Sequence, residues 1–147
     1  MADTPIPWAI LEGVQAHLRT VRRTNSYRTD AGRDVRLEPA PFDPNDAARL
    51  TLYPLTSLHP DAARSAGERG FTFVVEALVP VKPGNAQQRI VETIADIEDA
   101  LDGYTQAPMA LPLQFHESVL LDRPDGIAAM AAQVLFGTRY RRSGRTS

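Results

Sequence analysis

Cysteine is absent from this sequence of 147 residues. Its absence excludes disulfide bonds, thiol chemistry and cysteine-based zinc sites, and it favours a reducing compartment. Long apolar runs are missing as well, since none approaches the ~20 residues that a membrane-spanning helix needs. The opening residues MADTPIPWAI hold an aspartate and two prolines where a secretion signal needs positive charge and an apolar run. We therefore expect a soluble protein made in the cytoplasm, with no membrane partner.

Familiar catalytic and cofactor motifs are also missing. The sequence has no HExxH, GxSxG, Walker or GxGxxG pattern. Its three histidines, His17, His59 and His116, are scattered and lack the paired spacing with which one helix face binds zinc. Structural roles are the better interpretation for them. We expect no catalytic residue, no cofactor and no metal ion.

Composition and charge are those of an ordinary globular chain. Apolar residues make up 43% and charged residues 23%, which is typical of folded proteins. The length suits a single domain spanning residues 1–147. A formal charge of −2 gives no overall reason to expect nucleic acid as the main partner. Arginines nevertheless concentrate in residues 19–28 and 139–145, and acidic residues in 92–102, a separation that could pair one copy with another.

Two stretches have the periodicity of amphipathic helices. In the first, apolar residues recur between positions 6 and 21, with Thr4 as a candidate N-cap and Asn25 as a candidate stop. In the second, Asn85 is a candidate N-cap and Gly103 a candidate stop. The apolar stripe of this second helix is Ile90, Ile94, Ile97 and Leu101, and the side chains expected to turn away from it are Glu92, Asp96, Asp99 and Asp102.

Period-two alternation predicts several strands. Short strands are expected at residues 35–37 and 50–55, and a long strand at 71–81 has one fully apolar face that belongs in the core. The opposite face of the long strand is partly apolar, so we expect a helix or a neighbouring subunit to cover it. The polar segment 56–70 is either a flexible hairpin tip or a surface-binding loop.

The C-terminal part of the chain predicts a hairpin. Residues 113–121 alternate as a strand, and RPDG at 123–126 is a turn because proline presets one dihedral and glycine permits positive φ. The last segment fits a helix or a strand, and we favour a strand because residues 134–140 are rich in β-branched and aromatic side chains. The order of elements predicts an α+β fold, a mostly antiparallel sheet with two helices packed on it.

Two polar clusters are candidate functional sites. Asp96 and Asp99 could reach one cation, but no loop of oxygen ligands accompanies them, so a solvated or subunit-contacting face is the better interpretation. Arg139 and Arg141 lie on the basic C-terminal strand, and a basic tail, residues 141–147, could touch phosphates, keep the chain soluble or bridge subunits. We therefore take Asp96, Asp99, Arg139 and Arg141 as candidate subunit-interface residues.

The segment SYRTDAGRDV, residues 26–35, concentrates polar groups directly after the first helix. Asp30 can bond its own backbone two residues on, and Gly32 tolerates a left-handed conformation, so the segment is expected to turn tightly into a strand. Tyr27 is expected to cover the end of the helix. No nucleophile–base pair is implied, and Tyr27, Asp30 and Gly32 are predicted to form a structural turn.

The order of these motifs resembles a known family. An apolar N-terminal helix running into NSYRTDAGRDV, then DIEDAL in the second helix and a closing strand FGTRYRR, is similar to the small tail terminator proteins of long-tailed bacteriophages. The resemblance covers the helix–turn start and the C-terminal half, and the segment 56–70 matches none of it. The positions that carry it are Asn25, Tyr27, Thr29, Asp30, Gly32, Val35, Asp96, Ile97, Ala100 and Leu101.

This resemblance implies a structural virion protein that needs no active site. Such a protein forms a ring, expected to be a homohexamer, at the head-proximal end of the tail tube. It stops polymerisation of the tube and provides the docking surface for the head–tail connector or stopper protein. The implied partners are copies of itself, the major tail tube protein and the connector, with a passing contact to DNA in the ring lumen. The implied location is the virion tail, after synthesis in the host cytoplasm.

Two other functions remain open on the sequence. Another neck or head–tail joining protein shares the size and the ring habit of a tail terminator. A small ligand-binding or catalytic α+β domain would form a pocket from the sheet and the segment 56–70, although the sequence offers no catalytic constellation for it. The mass and shape of the particle in solution separate the ring-forming proteins from the ligand-binding domain.

Overall fold

The computed structural model describes residues 3–42, 47–58, 67–82, 84–121 and 129–142. Two short 3₁₀ turns, Arg23–Asn25 and Ala31–Arg33, lie between the first helix and the first strand. The main elements, in chain order, are α1 (Ile6–Leu18), β1 (Val35–Arg36), β2 (Arg49–Leu58), β3 (Glu68–Pro80), α2 (Ala86–Leu101), β4 (Gln114–Leu120) and β5 (Ala129–Arg141). The predicted α+β class is confirmed.

The five strands form one sheet in the order β1-β2-β3-β5-β4. β1 pairs with β2 in parallel, and the other three pairings are antiparallel. At the centre, β3 and β5 pair along their whole length, from Glu68 opposite Arg141 to Pro80 opposite Ala129. The last segment is therefore a strand, as its β-branched and aromatic composition predicts.

Both helices pack on the same face of the sheet. Alternation along the central strands puts Phe71, Phe73 and Phe136 on this face, and each is at most 2% exposed. Burial of each aromatic ring stabilises the fold by roughly 2 kcal/mol. The buried helix residues that share this core are Ile10, Leu11, Val14 and Leu18 of α1 and Ile90, Ile97, Ala100 and Leu101 of α2.

The ends of α1 differ from the prediction. Pro5 rather than Thr4 is the N-cap, and no side chain caps the helix. Proline is tolerated there because the first N–H groups of a helix have no partner within it. The helix ends at Leu18, whose carbonyl accepts the N–H of Val21 and tightens the last turn, so Asn25 belongs to a separate 3₁₀ turn.

The ends of α2 agree better with the prediction. Asn85 is the N-cap residue, but its side chain accepts a hydrogen bond from Arg89 and does not cap the backbone. Gly103 follows the helix with φ of +83°, a left-handed conformation that glycine adopts without steric cost. No helix within the described ranges is long and apolar enough to cross a membrane.

The predicted loop at residues 56–70 is partly wrong. β2 continues to Leu58 and β3 already begins at Glu68, so both ends of this segment are strand. Ser57 pairs with Phe71 and Leu58 with Gly70, which shows that pairing with β3 overrides the polar composition. Residues 59–66 lie outside the described residues. So do Pro83, the predicted turn at 123–126 and residues 143–147 of the predicted tail.

Candidate functional site on the open face of the sheet

The second face of the sheet carries neither helix. Residues that alternate with the core, such as Val74 and Leu135, point toward it. At one end the segment after β1 crosses this face, where Arg49 donates hydrogen bonds to the carbonyl oxygens of Ala40 and Pro41, at 2.7 and 3.0 Å. We call the remaining surface the open face, and its main side chains are Tyr53, Leu55, Val74, Glu76, Glu117 and Val119.

A groove of about 500 Å³ lies on the open face. Val74 at its base is 6% exposed, whereas Leu55 and Val119 at its sides are 53% and 37% exposed. Apolar side chains gathered around a groove and rimmed by polar ones mark a binding surface more often than scattered exposed residues do. The sequence predicts that a helix or a neighbouring subunit covers this face of the long strand; neither helix covers it, and cover by a neighbouring subunit stays a prediction.

Two β-bulges shape the open face. The pairing register of β2 shifts between Pro54 and Thr56, and that of β4 shifts between Phe115 and Glu117. A bulge inserts one residue that has no partner opposite it and re-aims its side chain. Leu55 is the residue of β2 without a partner on β3, and it lines the groove together with Tyr53, which lies two positions before it on the same face. The bulge changes the facing of the residues that follow, since Thr56 lies opposite Thr72.

The second bulge residue, His116, lies in a smaller adjoining cleft of about 230 Å³. Its imidazole ring sits over Gly137 of β5, where a Cβ atom on this glycine would collide with Nε2 of the ring. A side chain at position 137 would require this ring to move aside. The structural role expected for this histidine fits its position on the strand.

The open face has a negative character. Within the described ranges, the side chains of Glu76 and Glu117 form no hydrogen bond and no ion pair. Burial raises the pKa of the Tyr53 hydroxyl, and the nearby Glu76 carboxylate raises it further, against the opposite effect of Arg49. Tyr53 therefore stays neutral at physiological pH and can donate or accept a hydrogen bond. A partner that brings positive charge complements this surface.

The prediction for Asp96 is wrong in one respect. Its side chain does not turn away from the core but is 0% exposed. One carboxylate oxygen accepts hydrogen bonds from the backbone N–H and the guanidinium of Arg28, at 3.1 and 3.0 Å. The other accepts the backbone N–H and the hydroxyl of Thr29, at 2.8 and 2.7 Å. A buried carboxylate needs such partners, and four donors here supply them.

The neighbouring Asp99 remains on the surface, with its side chain 58% exposed. It lies 2.7 Å from a guanidinium nitrogen of Arg28, which bridges it to Asp96. The hydrogen bonds that Arg28 donates to Asp99, first, and to Asp96 raise its pKa above its ordinary value, so this arginine stays charged. Of the two aspartates, Asp99 is the one placed to meet another subunit, and its interface role stays a prediction.

The two candidate arginines of β5 also differ. Arg139 forms an ion pair with Glu68 of β3. Glu68 lies two residues from Gly70, the residue opposite Arg139, and its side chain is fully buried. The charge of Arg139 is therefore used within the subunit. Arg141 is exposed at the end of the strand, and its side chain forms no hydrogen bond or ion pair with any described residue. The structure brings neither arginine to Asp96, and their predicted role at an interface stays untested.

The turn at residues 26–35 is structural, but two of its details were wrongly predicted. Asp30 does not bond backbone two residues on; its carboxylate accepts the N–H of Arg23 at 2.9 Å, which lowers the pKa of Asp30. Gly32 is not in a left-handed conformation. It is needed because a Cβ there would collide with the backbone of Leu18 and Val21. Tyr27 is partly buried against the core, as expected for a residue that covers the helix end.

A further hollow of about 470 Å³ lies between this turn and the start of α2. Arg23, Arg33 and Arg89 line it, together with two acidic side chains. Each of these arginines already has a partner inside the chain: a backbone carbonyl, a carboxylate and an amide oxygen, respectively. The described residues contain no group of three or more side chains placed to hold a metal ion.

Sequence reasoning missed the bulges and two buried charges, those of Arg49 and Glu68. Arg49 is 4% exposed, and its Nε–H has no hydrogen-bond partner among the described residues. Its guanidinium lies 5.3 Å from the ring centroid of Phe42, a cation–π contact. The alternation on β2 could have placed Arg49 on the same face as Tyr53, but no local pattern shows that residues 40–42 cover it.

The comparisons with known proteins concern the fold. No family model matches the sequence, and no curated protein matches it. Among solved structures, a chain of the virion of a native gene transfer agent particle is similar at a TM-score of 0.71 and 17% identity, over 95% of this chain and 100% of that chain. Another solved chain is similar at a TM-score of 0.51 and 14% identity, over 93% and 98%. At such identities the likeness shows a shared fold.

Proposed function

We propose that this chain is a structural subunit of a phage or phage-like virion, and that its role there is that of a tail terminator. The observation that carries the proposal is the likeness to a virion chain of a gene transfer agent particle, which covers that chain completely. The resemblance in sequence to the tail terminator family supports the finer assignment. Two stretches that carry this resemblance, around Thr29 and around Asp96, are joined by hydrogen bonds in the fold.

In this proposal several copies close into a ring, a homohexamer, on the head-proximal end of the tail tube. A ring requires head-to-tail contacts, in which two different surfaces of the subunit meet. The segregated charges are suited to such contacts, because exposed Asp99 of one copy can pair with exposed Arg141 of the next. Asp96 and Arg139 support these surfaces from inside the subunit through their own ion pairs.

Termination is then a matter of mismatched surfaces. The ring presents one side that fits the last ring of the tube protein and another side that cannot accept a further tube ring. That second side receives the connector or stopper protein, and DNA passes through the lumen. None of these steps needs a catalytic group, a cofactor or a metal ion.

A tube-assembly experiment tests the proposal. The tail tube protein of the same particle is polymerised with and without this chain, and tube lengths and ends are measured by electron microscopy. We expect shorter tubes with a ring at one end only. Tubes of unchanged length without a cap would contradict the terminator role.

Labelling of intact particles distinguishes the competing functions. An antibody against this chain should bind at the junction between the tail and the neck. A label on the neck after the tail has been removed identifies a head–tail joining protein instead. Absence from particles, together with binding of a small molecule by the monomer, would favour the ligand-binding domain.

A further inference from the structure

The open face combines exposed apolar side chains with carboxylates. Leu55 and Val119 expose apolar surface there. Glu76 and Glu117 beside them find no positive partner among the described residues. An apolar groove rimmed by unpaired carboxylates fits a partner that has both an apolar body and arginine side chains.

The edges of the sheet are less suited to binding than its face. β4 and the outer half of β2 have no neighbouring strand within the described residues. Each carries a bulge, and Pro54 of β2 has no N–H to offer a further strand. Bulges and proline are features that keep edge strands from pairing with other chains. A neighbouring molecule is therefore more readily received on the face.

The opposite layer of the subunit carries matching charge. Arg19 at the C-terminal end of α1 is exposed, and its side chain forms no hydrogen bond or ion pair with any described residue. Arg22 lies three residues after Arg19, just beyond the end of the helix. α1 packs over β1 and β2 on the core side of the sheet, so its end and the open face belong to opposite sides of the subunit.

We infer that the open face binds the arginine-bearing end of α1 from a second copy of this chain. Such a contact is head-to-tail: each copy offers its open face to one neighbour and its α1 end to the other, as a ring requires. The inference rests on the proposed function and names the surfaces that would join the ring. A two-fold contact of the open face with itself is disfavoured, because it brings the unpaired glutamates of both copies together.

Two neighbouring residues of β4 provide a matched test of the face. Val119 points to the groove, whereas Leu120 pairs opposite core residue Ala132 and points to the other side, and both are exposed. We expect Val119→Asp to weaken self-association about tenfold or more, because a charge replaces apolar contact at the interface. Leu120→Asp should leave it unchanged. Sedimentation velocity over a range of protein concentrations, with and without added tubes, compares the assembly of the two variants. Circular dichroism checks that both variants fold.

A charge exchange tests the identity of the partner surface. Glu117→Arg alone and Arg19→Glu alone should each reduce the assembled fraction, and the double variant should recover it. Recovery supports the contact between the open face and α1. A double variant no better than the single ones overturns it, and so does Val119→Asp that assembles like wild type.

The outcomes separate this inference from the proposed function. Wild-type rings that cap tubes, combined with unaffected face variants, reject the open face as the subunit contact and leave the terminator role intact. Rings of Val119→Asp that form normally but no longer bind tube assign the face to the tube protein and also overturn the inference. If the wild type forms rings and the face variants weaken them as expected, but the rings never occur on tails, the terminator role alone is rejected.

Discussion

Asp96, in the middle of α2, accepts hydrogen bonds from both the backbone N–H and the hydroxyl of Thr29, which precedes it by 67 residues. Its second oxygen accepts two more from Arg28. The segment between α1 and β1 is thus fixed to α2 by one buried carboxylate. This contact gives the polar residues around Thr29 a structural role.

Replacement of this carboxylate should destabilise the subunit strongly. Asp96→Ala removes a buried carboxylate and leaves the backbone N–H groups of Arg28 and Thr29 without their acceptor, so we expect the free energy of unfolding to fall by about 3–5 kcal/mol. Urea denaturation followed by circular dichroism measures the change. Asp99→Ala is the matched control, since its side chain is 58% exposed, and it should cost under about 1 kcal/mol. Equal losses for the two variants would show that the Asp96 carboxylate does not hold the segment between α1 and β1 against α2.

Two glycines should respond to alanine in opposite directions. At Gly32 a Cβ meets the carbonyl oxygen and the nitrogen of Val21 at 2.8 and 2.9 Å, and this backbone cannot move aside, so Gly32→Ala should cost about 1–3 kcal/mol. At Gly13, within α1, the nearest atom is a flexible side-chain oxygen of Gln106 at 3.4 Å. Gly13→Ala should stabilise the helix by about 0.5–1 kcal/mol. Melting temperatures measure both effects, and a neutral Gly32→Ala would contradict the close packing.

The arginines of β5 should separate subunit stability from assembly. Arg139→Glu places a second carboxylate beside the buried Glu68, so we expect a loss of about 3 kcal/mol or more in the free energy of unfolding. Arg141→Glu should leave that free energy within about 0.5 kcal/mol, because the residue is exposed. If Arg141 pairs with Asp99 of another copy, its reversal weakens ring formation in sedimentation experiments. Unchanged ring formation would reject that pairing.

Asp30 gives the stability a specific pH dependence. The N–H of Arg23, first, and the charge of Arg33 lower the pKa of Asp30 in the folded state below its ordinary value of 3.8. The ionised form is therefore favoured by folding, and its contribution is complete above the ordinary value and disappears as the pH falls through the lower folded-state pKa. Asp30→Asn removes this titration. The difference in unfolding free energy between wild type and the variant should shrink below pH 3.8, and a difference independent of pH would refute this assignment.

Most of the fold could be predicted because it follows from local periodicity. The alternation around Phe73 and the β-branched run at the end of the chain place two central strands correctly. The helical stripe through Ile97 and the stop at Gly103 do the same for α2. Element boundaries were less accurate, as the early end of α1 at Leu18 and the continuation of β2 to Leu58 show. Boundaries depend on neighbours that are distant in sequence.

The candidate site was predicted only in outline. The sequence indicated that the second face of β3 needs cover, because Val74 lies on it. It could not indicate the bulge at Leu55, and one inserted residue reverses the alternation for the residues that follow, so that Thr56 lies opposite Thr72. It also assigned Asp96 to the outside, because helical spacing cannot show that a turn from another part of the chain covers that position.

The sequence by itself determined the α+β class, the apolar faces and the absence of cysteine chemistry, since composition and period-two or helical spacing are properties of the chain alone. Only the tertiary structure decided which charges are buried. Asp96 and Glu68 lie inside because donors from distant segments meet them there, whereas Asp99 and Glu117 meet solvent. Burial of a charge depends on whether long-range partners replace its water, and local sequence does not contain that information.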